Sequence, residues 1–599
     1  MTRPLRIANC SGFYGDLLDA PRLLLDGPDP IDVLTGDYLA ELTMLILWKS
    51  RQRDPDAGYA TTFLRQMEEV MGTCLERGIQ VVVNAGGLNP RGLAAELRAQ
   101  ARALGRSVDV AVVEGDDLIT HLPDLMSKGE PFTHLDTGHP FASAGRSALT
   151  ANAYLGGFGI AEALNRGAQF VVTGRVTDAA LVIGPAAAHH GWSRTDFGPL
   201  AGALVAGHVI ECGTQATGGN YCFLDELPDA RFPGFPIAEV AADGSAVITK
   251  QPGSGGVVSL GTVTAQLLYE VDRRHYANPD VVADFSSISL STAGPDRVAI
   301  GPVTGQAPAQ EIKVAINYDG GYRNQMSVIL TGADPEGKAA RVRAMLFDLL
   351  GGEERFSEVA VDLFAADWRD ASTNEGAISR LRIVVKGEDP GLVGREFSRA
   401  VVSLTLASVP GMFADTPPSA GSAYGVYWPA LIDRSHVHER VLLENGMTVI
   451  LPQPPVTVPL PLDGGEMPVV HPPFSGETAP MLLGDLCGAR SGDKGGNANV
   501  GVWTFDDDRY AFLVNLLTPE SVPALLGLPP GVTVRRSLLP NLRAINLVCV
   551  GLLGEGVASS TRLDPQAKGL GEYLRSRTVE VPVELHGRGR RAEGVATAQ

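Results

Sequence analysis

The sequence predicts an α/β protein: an N-terminal parallel sheet with flanking helices, an α+β middle region and a small C-terminal α+β sandwich domain. Three observations carry that prediction. Through residues 1–230, short β-branched runs alternate with segments of helical length, the pattern of a parallel sheet covered by helices. Across residues 231–450, strand-like runs follow one another with few helices between them. A proline-rich linker, residues 451–478, then sets off residues 479–599, because dense proline excludes both a regular helix and a central strand.

In chain order, the first candidate strands are residues 7–9, 31–34, 79–83, 108–113 and 170–172. Residues 38–48, 61–77, 93–104 and 152–166 have helical length and spacing. The middle region reads as strands at 246–249, 313–316, 327–330 and 382–385, with a helix at 338–350. Beyond the linker, 481–487 and 499–504 read as strands, and Thr518-Pro519-Glu520-Ser521 opens a helix. Strands at 532–536 and 544–550, a helix opened by Asp564-Pro565 and a last strand at 578–583 complete the domain.

Composition narrows the function. A chain of 599 residues forms several cores without disulfides or structural metal. Its 49 Lys+Arg against 68 Asp+Glu leave a net charge of -19, which repels nucleic acid and anionic membrane surfaces. A local pocket of cations and backbone amides still binds a small anion against that field. Six scattered cysteines without a Cys-x-x-Cys pair fit a reducing compartment. The segment Met1-Thr2-Arg3-Pro4-Leu5-Arg6-Ile7 runs into a strand without an apolar leader, and no stretch has the length of a membrane span. The expectation is therefore cytoplasmic, with self-association into a homo-oligomer.

In an open parallel sheet, ligands bind beyond the carboxyl ends of the strands. Four such ends here are rich in small and polar residues: Asn9 to Asp16, Asn84 to Pro90, Glu114 to Asp117 and Thr173 to Asp178. Turns and helix caps alone call for such residues; their recurrence at successive strand ends points to one crevice. Asn84 and the amides of Gly86 and Gly87 suit an enolate-like oxygen. Arg175 suits a carboxylate or phosphate through its donor fork, with Asp178 orienting it or capping the helix. Glu211 suits proton transfer if burial raises its pKa. Cys212 beside it is a nucleophile only if a cation or base lowers its own.

Two further segments read as anion sites for a substrate carrier. The loop Gly253-Ser254-Gly255-Gly256 precedes a helix but lacks the Walker arrangement. Arg490, Ser491, Asp493 and Lys494 stand among glycines in residues 487–499, a long loop between two strands that reads equally as an anion site or as a plain hairpin turn. His134-Leu135-Asp136-Thr137-Gly138-His139 matches no metal-ligand spacing, so no metal is expected. His189-His190 are expected to meet the last carbonyls of their helix.

Taken together, Asn84-Ala85-Gly86-Gly87, Thr173 to Asp178, the Glu211-Cys212 loop and Ala489 to Gly495 resemble the AtuA-type acyclic terpene utilization proteins over nearly the whole chain. That resemblance implies a place in bacterial degradation of branched acyclic terpenoids such as citronellol and geraniol, whose intermediates travel as coenzyme A thioesters. It brings no agreed catalytic residues. On this basis, the chain is expected to act on a branched acyl-CoA or related carboxylate by hydro-lyase or carbon–carbon lyase chemistry. Coenzyme A enters as substrate carrier, and no tightly bound cofactor is expected. A hydrolase using Cys212 or an activated water, and a non-catalytic acyl-CoA-binding or assembly subunit, stand as alternatives.

Overall fold

The computed structural model describes residues 3–460, 474 and 476–587, so Pro461, Pro468, Pro472 and Pro473 of the expected linker lie outside the described residues. The fold is α/β. Five strands, β1 (Leu5–Asn9), β2 (Val33–Gly36), β3 (Gln80–Val83), β4 (Val110–Glu114) and β5 (Phe170–Thr173), run parallel in the order β1-β2-β3-β5-β4. They are apolar nearly throughout because both faces are covered. Alternate residues Ala8, Leu34, Val81, Val83, Val110, Val112 and Val172 share one core with Phe63, Met67, Leu93 and Leu97.

The last four residues stand on two helices whose sequences explain them. α2 (Thr61–Arg77) repeats apolar residues at Phe63, Met67, Val70, Met71 and Cys74 and stops at Gly78, φ 66°. α3 (Pro90–Ala103) begins where Asn89 accepts from the Gly92 amide and Pro90 takes the first turn. Between β2 and α2 lies α1 (Glu41–Arg53). The opposite sheet face meets α4 (Phe158–Asn165), α5 (Ala180–His190) and α6 (Phe197–Ile210). The helix expected at 152–166 thus starts at Phe158, and Asn152 belongs instead to a strand, Ala148–Ala153.

The parallel core is extended by antiparallel strands from the middle of the chain. β6 (Pro236–Val240), β7 (Ala246–Lys250), β8 (Leu290–Gly294) and β9 (Arg297–Ile300) continue it past β1, and β10 (Arg440–Leu442) and β11 (Thr448–Ile450) past β4. The chain divides into two compact units. One comprises Met1–Ile316, Trp428–Val557 and Gln566–Gln599; the other comprises Asn317–Tyr427 and Ala558–Pro565. The second has its own core, including Met326, Val328, Leu346, Phe347, Leu381, Ile383 and Phe397. Its strand Ile378–Gly387 pairs antiparallel with Glu358–Phe364, and Arg382 donates to the Thr561 carbonyl at 2.7 Å.

The C-terminal sheet belongs to the first unit. β12 (Gly488–Lys494), β13 (Asn497–Trp503), β14 (Thr533–Leu539) and β15 (Ala544–Val550) are antiparallel in the order β12-β13-β15-β14. Residues 487–499, expected as a long loop, are therefore a hairpin turning at Gly495-Gly496, with Arg490 to Lys494 on a strand. The glycines that suggest a loop serve a close approach instead. A Cβ on Gly492 would stand 2.3 Å from the Tyr269 ring, and one on Gly501 would stand 2.3 Å from Leu268 Cβ. Gly492→Ala is expected to destabilise the first unit by about 1–3 kcal/mol, because overpacking displaces a buried ring; urea unfolding measures it.

Candidate functional site

The last turn of α6 is pinned over the end of β1. Asn9 Nδ2 donates to the carbonyls of Ile210 (2.7 Å) and Glu211 (3.0 Å), and a Cβ on Gly12 would stand 2.6 Å from the Cys212 carbonyl carbon. Glu211 is buried, with its Oε1 3.1 Å from His208 Nδ1 one turn earlier. Burial raises its carboxyl to about 7 against the opposing pull of His208, and the charges of Asp178 and Glu270 add to the rise. His208 is fully buried against the rings of Tyr276 and Phe285, and its Nε2 has no partner among the described residues.

The ends of β2, β3, β4 and β5 meet beside it. Asn84 Nδ2 donates to Asp37 Oδ1 at 2.5 Å, while its Oδ1 accepts from the Tyr38 amide at 2.8 Å. Asn84 therefore positions Asp37, which burial and the charge of Asp178 push well above the usual carboxylate range. Asp116, after β4, accepts from the Arg175 amide (2.8 Å) and from Asn152 Nδ2 (2.9 Å). Arg175 Nη1 donates to Asp178 Oδ1 (2.8 Å) and to the Leu39 carbonyl (3.0 Å), and its guanidinium lies 4.2 Å from the Tyr154 ring centroid. Glu41, opening α1, accepts from Tyr154 Oη at 3.2 Å. Burial opposes its charge, but Lys313 and Arg175 more than offset this and hold the carboxyl at about 2.

The C-terminal sheet closes the cluster from the other side. Arg490 donates to Gln215 Oε1 and lies 4.6 Å from the Tyr269 ring centroid. Lys568 bonds the Tyr269 hydroxyl, and Lys494 Nζ lies 5.6 Å from the Tyr276 centroid. Asn499 Oδ1 accepts from the Glu270 amide at 2.9 Å. Asp493 is raised to about 7 by burial and by Glu270, against Lys568. The C-terminal domain thus lends cations to a buried cluster rich in carboxylates.

Of the residues singled out from sequence, Glu211, Arg175, Asp178, Asn84, Cys212, Arg490, Asp493 and Lys494 belong to or border this cluster. Burial, with Glu211 and Glu270, raises the Cys212 thiol well above its ordinary value, opposite to what a thiolate nucleophile needs. Ser491 faces away: its Oγ accepts from the Gly571 amide at 2.8 Å and ties down the helix Leu570–Arg575. The Gly253–Gly256 loop packs against residues 231–234 and Thr217, where a Cβ on Gly256 would stand 2.1 Å from the Thr217 carbonyl oxygen. The helix α7 (Leu260–Leu267) that follows is capped by Ser259, not by that loop.

His134 Nδ1 accepts from the Asp136 amide at 3.1 Å. His189 and His190 reach the carbonyls of Arg3 (3.2 Å) and Val240 (3.0 Å) rather than those of their own helix. Sequence reasoning reached Asp116 only as part of the strand end Glu114 to Asp117, and did not assign a role to Asp37, Glu41, His208, Glu270 or Lys313. For Asp37, the strand-end rule applied to β2 was signal enough, and His208 sits three residues before Glu211 on a helix. Lys313 comes from a distant strand with no local cue.

Residues 5–443 match the description "Acyclic terpene utilisation family protein AtuA", and residues 481–580 match the AtuA ferredoxin-like domain. The chain belongs to the acyclic terpene utilisation family. Membership implies a role in acyclic terpene utilisation. No curated protein and no solved structure matches the chain. Within this family chain, no helix among the described residues is long and apolar enough to cross a membrane.

The buried acids also make stability depend on pH. Burial holds Asp116 at about 7, above the ordinary value of 3.8, so the native state binds a proton that the unfolded chain releases. The resulting stability is complete below about pH 4 and is lost as pH rises through about 7, on the order of 4 kcal/mol for this 3 % exposed group. Unfolding between pH 5 and 8 is expected to show falling stability with rising pH, with a shallower slope in Asp116→Asn.

Proposed function

We propose that this protein is a lyase or hydratase acting on a branched acyl-CoA or related carboxylate in acyclic terpenoid breakdown. The observation that carries the reading is the Glu211 carboxyl: buried, 3.1 Å from His208 and held at about 7, it gives and takes protons near neutrality. In this reading Glu211 moves the proton on the carbon next to the thioester carbonyl, and Arg175 with Lys313 balances the charge that develops on oxygen. Asn84 acts through Asp37, which it positions. The anionic end of coenzyme A lies toward Arg490 and Lys494.

The inward convergence of Glu211, Arg175 and Asn84 through Asp37 and Asp178 favours catalysis over an assembly role. The unfavourable thiolate environment of Cys212 favours proton transfer over a cysteine hydrolase. The test is calorimetric titration of free coenzyme A, geranoyl-CoA and short branched acyl-CoAs, repeated with Arg490→Ala/Lys494→Ala and with product analysis of each mixture. Thioester binding weakened in the double variant, with a hydrated or cleaved product, supports the reading. Absence of binding by every thioester overturns it and directs the search to free carboxylates.

A further inference from the structure

A pocket is built from the far ends of elements that also carry the charged cluster. Trp48 stands on α1 seven residues after Glu41, two turns along and roughly 10 Å away. Leu88 closes the turn that Asn84 begins, and Ile119 lies in the segment after β4 that carries Asp116. Leu149 precedes Asn152 on the strand Ala148–Ala153, just before Tyr154. These four lining side chains are apolar and half-buried, while Arg51 and Asp117 also line the pocket. Arg51 Nη1 donates to the Leu88 carbonyl at 3.2 Å, which fixes that wall. Leu88 packs in turn on the buried cluster of Leu39, Met44 and Leu47.

The segments that carry Glu41, Asn84, Asp116 and Asn152 thus also line a mostly apolar pocket, to which Arg51, Gln52, Asp117 and Thr150 add polar groups. A site of that form suits a ligand with a polar reacting end and an apolar chain. We infer that the pocket takes the hydrocarbon chain of the substrate whose thioester end meets the charged cluster, and that Trp48, Ile119 and Leu149 set its length. The inference rests on the acyl-CoA reading above and adds where chain length is measured.

The test compares geranoyl-CoA and isobutyryl-CoA by calorimetric titration of the full chain, as wild type, Leu149→Trp, Ile119→Trp and Leu149→Ala. Melting curves first confirm that each variant is folded. Wild type is expected to bind geranoyl-CoA more than about tenfold tighter, because each additional buried methylene adds affinity. Both Trp variants fill the pocket and lose that preference while holding isobutyryl-CoA as before; Leu149→Ala keeps the preference. A preference that survives both Trp substitutions overturns the pocket assignment and leaves the acyl-CoA reading intact. Equal wild-type affinity for the two thioesters also overturns the assignment. Binding of neither overturns the acyl-CoA reading itself.

Discussion

Glu211→Gln is expected to lower kcat by about two to four orders of magnitude, the usual range for losing a positioned general acid or base, while thioester affinity stays near that of wild type. The substitution keeps the shape of the side chain and removes only its titration, so a loss in kcat without a loss in binding separates proton transfer from substrate holding. The pH profile gives an independent reading. Where Glu211 acts as the base, kcat/KM rises as the carboxyl ionises through about 7. His208 holds that value down by its charge and its hydrogen bond, so His208→Asn moves the rising limb to higher pH. An unchanged limb in His208→Asn would show that another group titrates, and the nearest candidates are Asp37 and Asp493.

Arg175→Met is expected to cost about 3 kcal/mol of stability and most of the activity together. Breaking a buried charge pair leaves its partner uncompensated, and the cost is a few kcal/mol when that partner is desolvated. The Arg175 side chain is only 4 % exposed, and that of its partner Asp178 is 28 % exposed, which moderates the penalty. Met retains much of the packing on Tyr154 and removes the charge. The charge also acts at a distance, because Arg175 lowers the pKa of Asp37 and holds Glu41 ionised. Removing it pushes both carboxyls upward and makes the cluster more acidic in net charge. Urea unfolding and the pH profile of kcat/KM measure the two effects separately. A variant as stable as wild type would mean that Asp178 finds another cation.

Much of the fold was legible before the structure. The five parallel strands and the helix at Thr61–Arg77 follow from β-branched runs and from apolar residues at helical spacing, which local chemistry dictates. The strand-end rule pointed to Asn84 and Arg175, since the C-terminal ends of neighbouring parallel strands share one side of the sheet, whereas Glu211 follows the helix Phe197–Ile210 and only packing brings it to them. The strand β12 was not legible, whereas most of β13 follows from the strand read at 499–504. Glycine usually signals a turn, yet Gly492 lies within a strand because Tyr269 presses against it. Asn152 was misplaced because the strand that claims it is set by pairing outside the segment, although Gly156-Gly157 breaks the helical composition just before Phe158.

The amino-acid sequence by itself determined the fold class and the family to which the chain belongs, because periodicity, turn chemistry and motif order are local properties. The tertiary structure alone decided what those residues do to one another. Asn84 becomes a support for Asp37, Cys212 is held as a thiol, and Glu211 gains a pKa of about 7. The two electrostatic outcomes depend on burial and on charges that arrive from other segments: Asp178 and Glu270 raise Glu211, and Glu270 also raises Cys212 against the pull of Lys568. Electrostatic energy depends on distance in space and on exclusion of water; only packing fixes either.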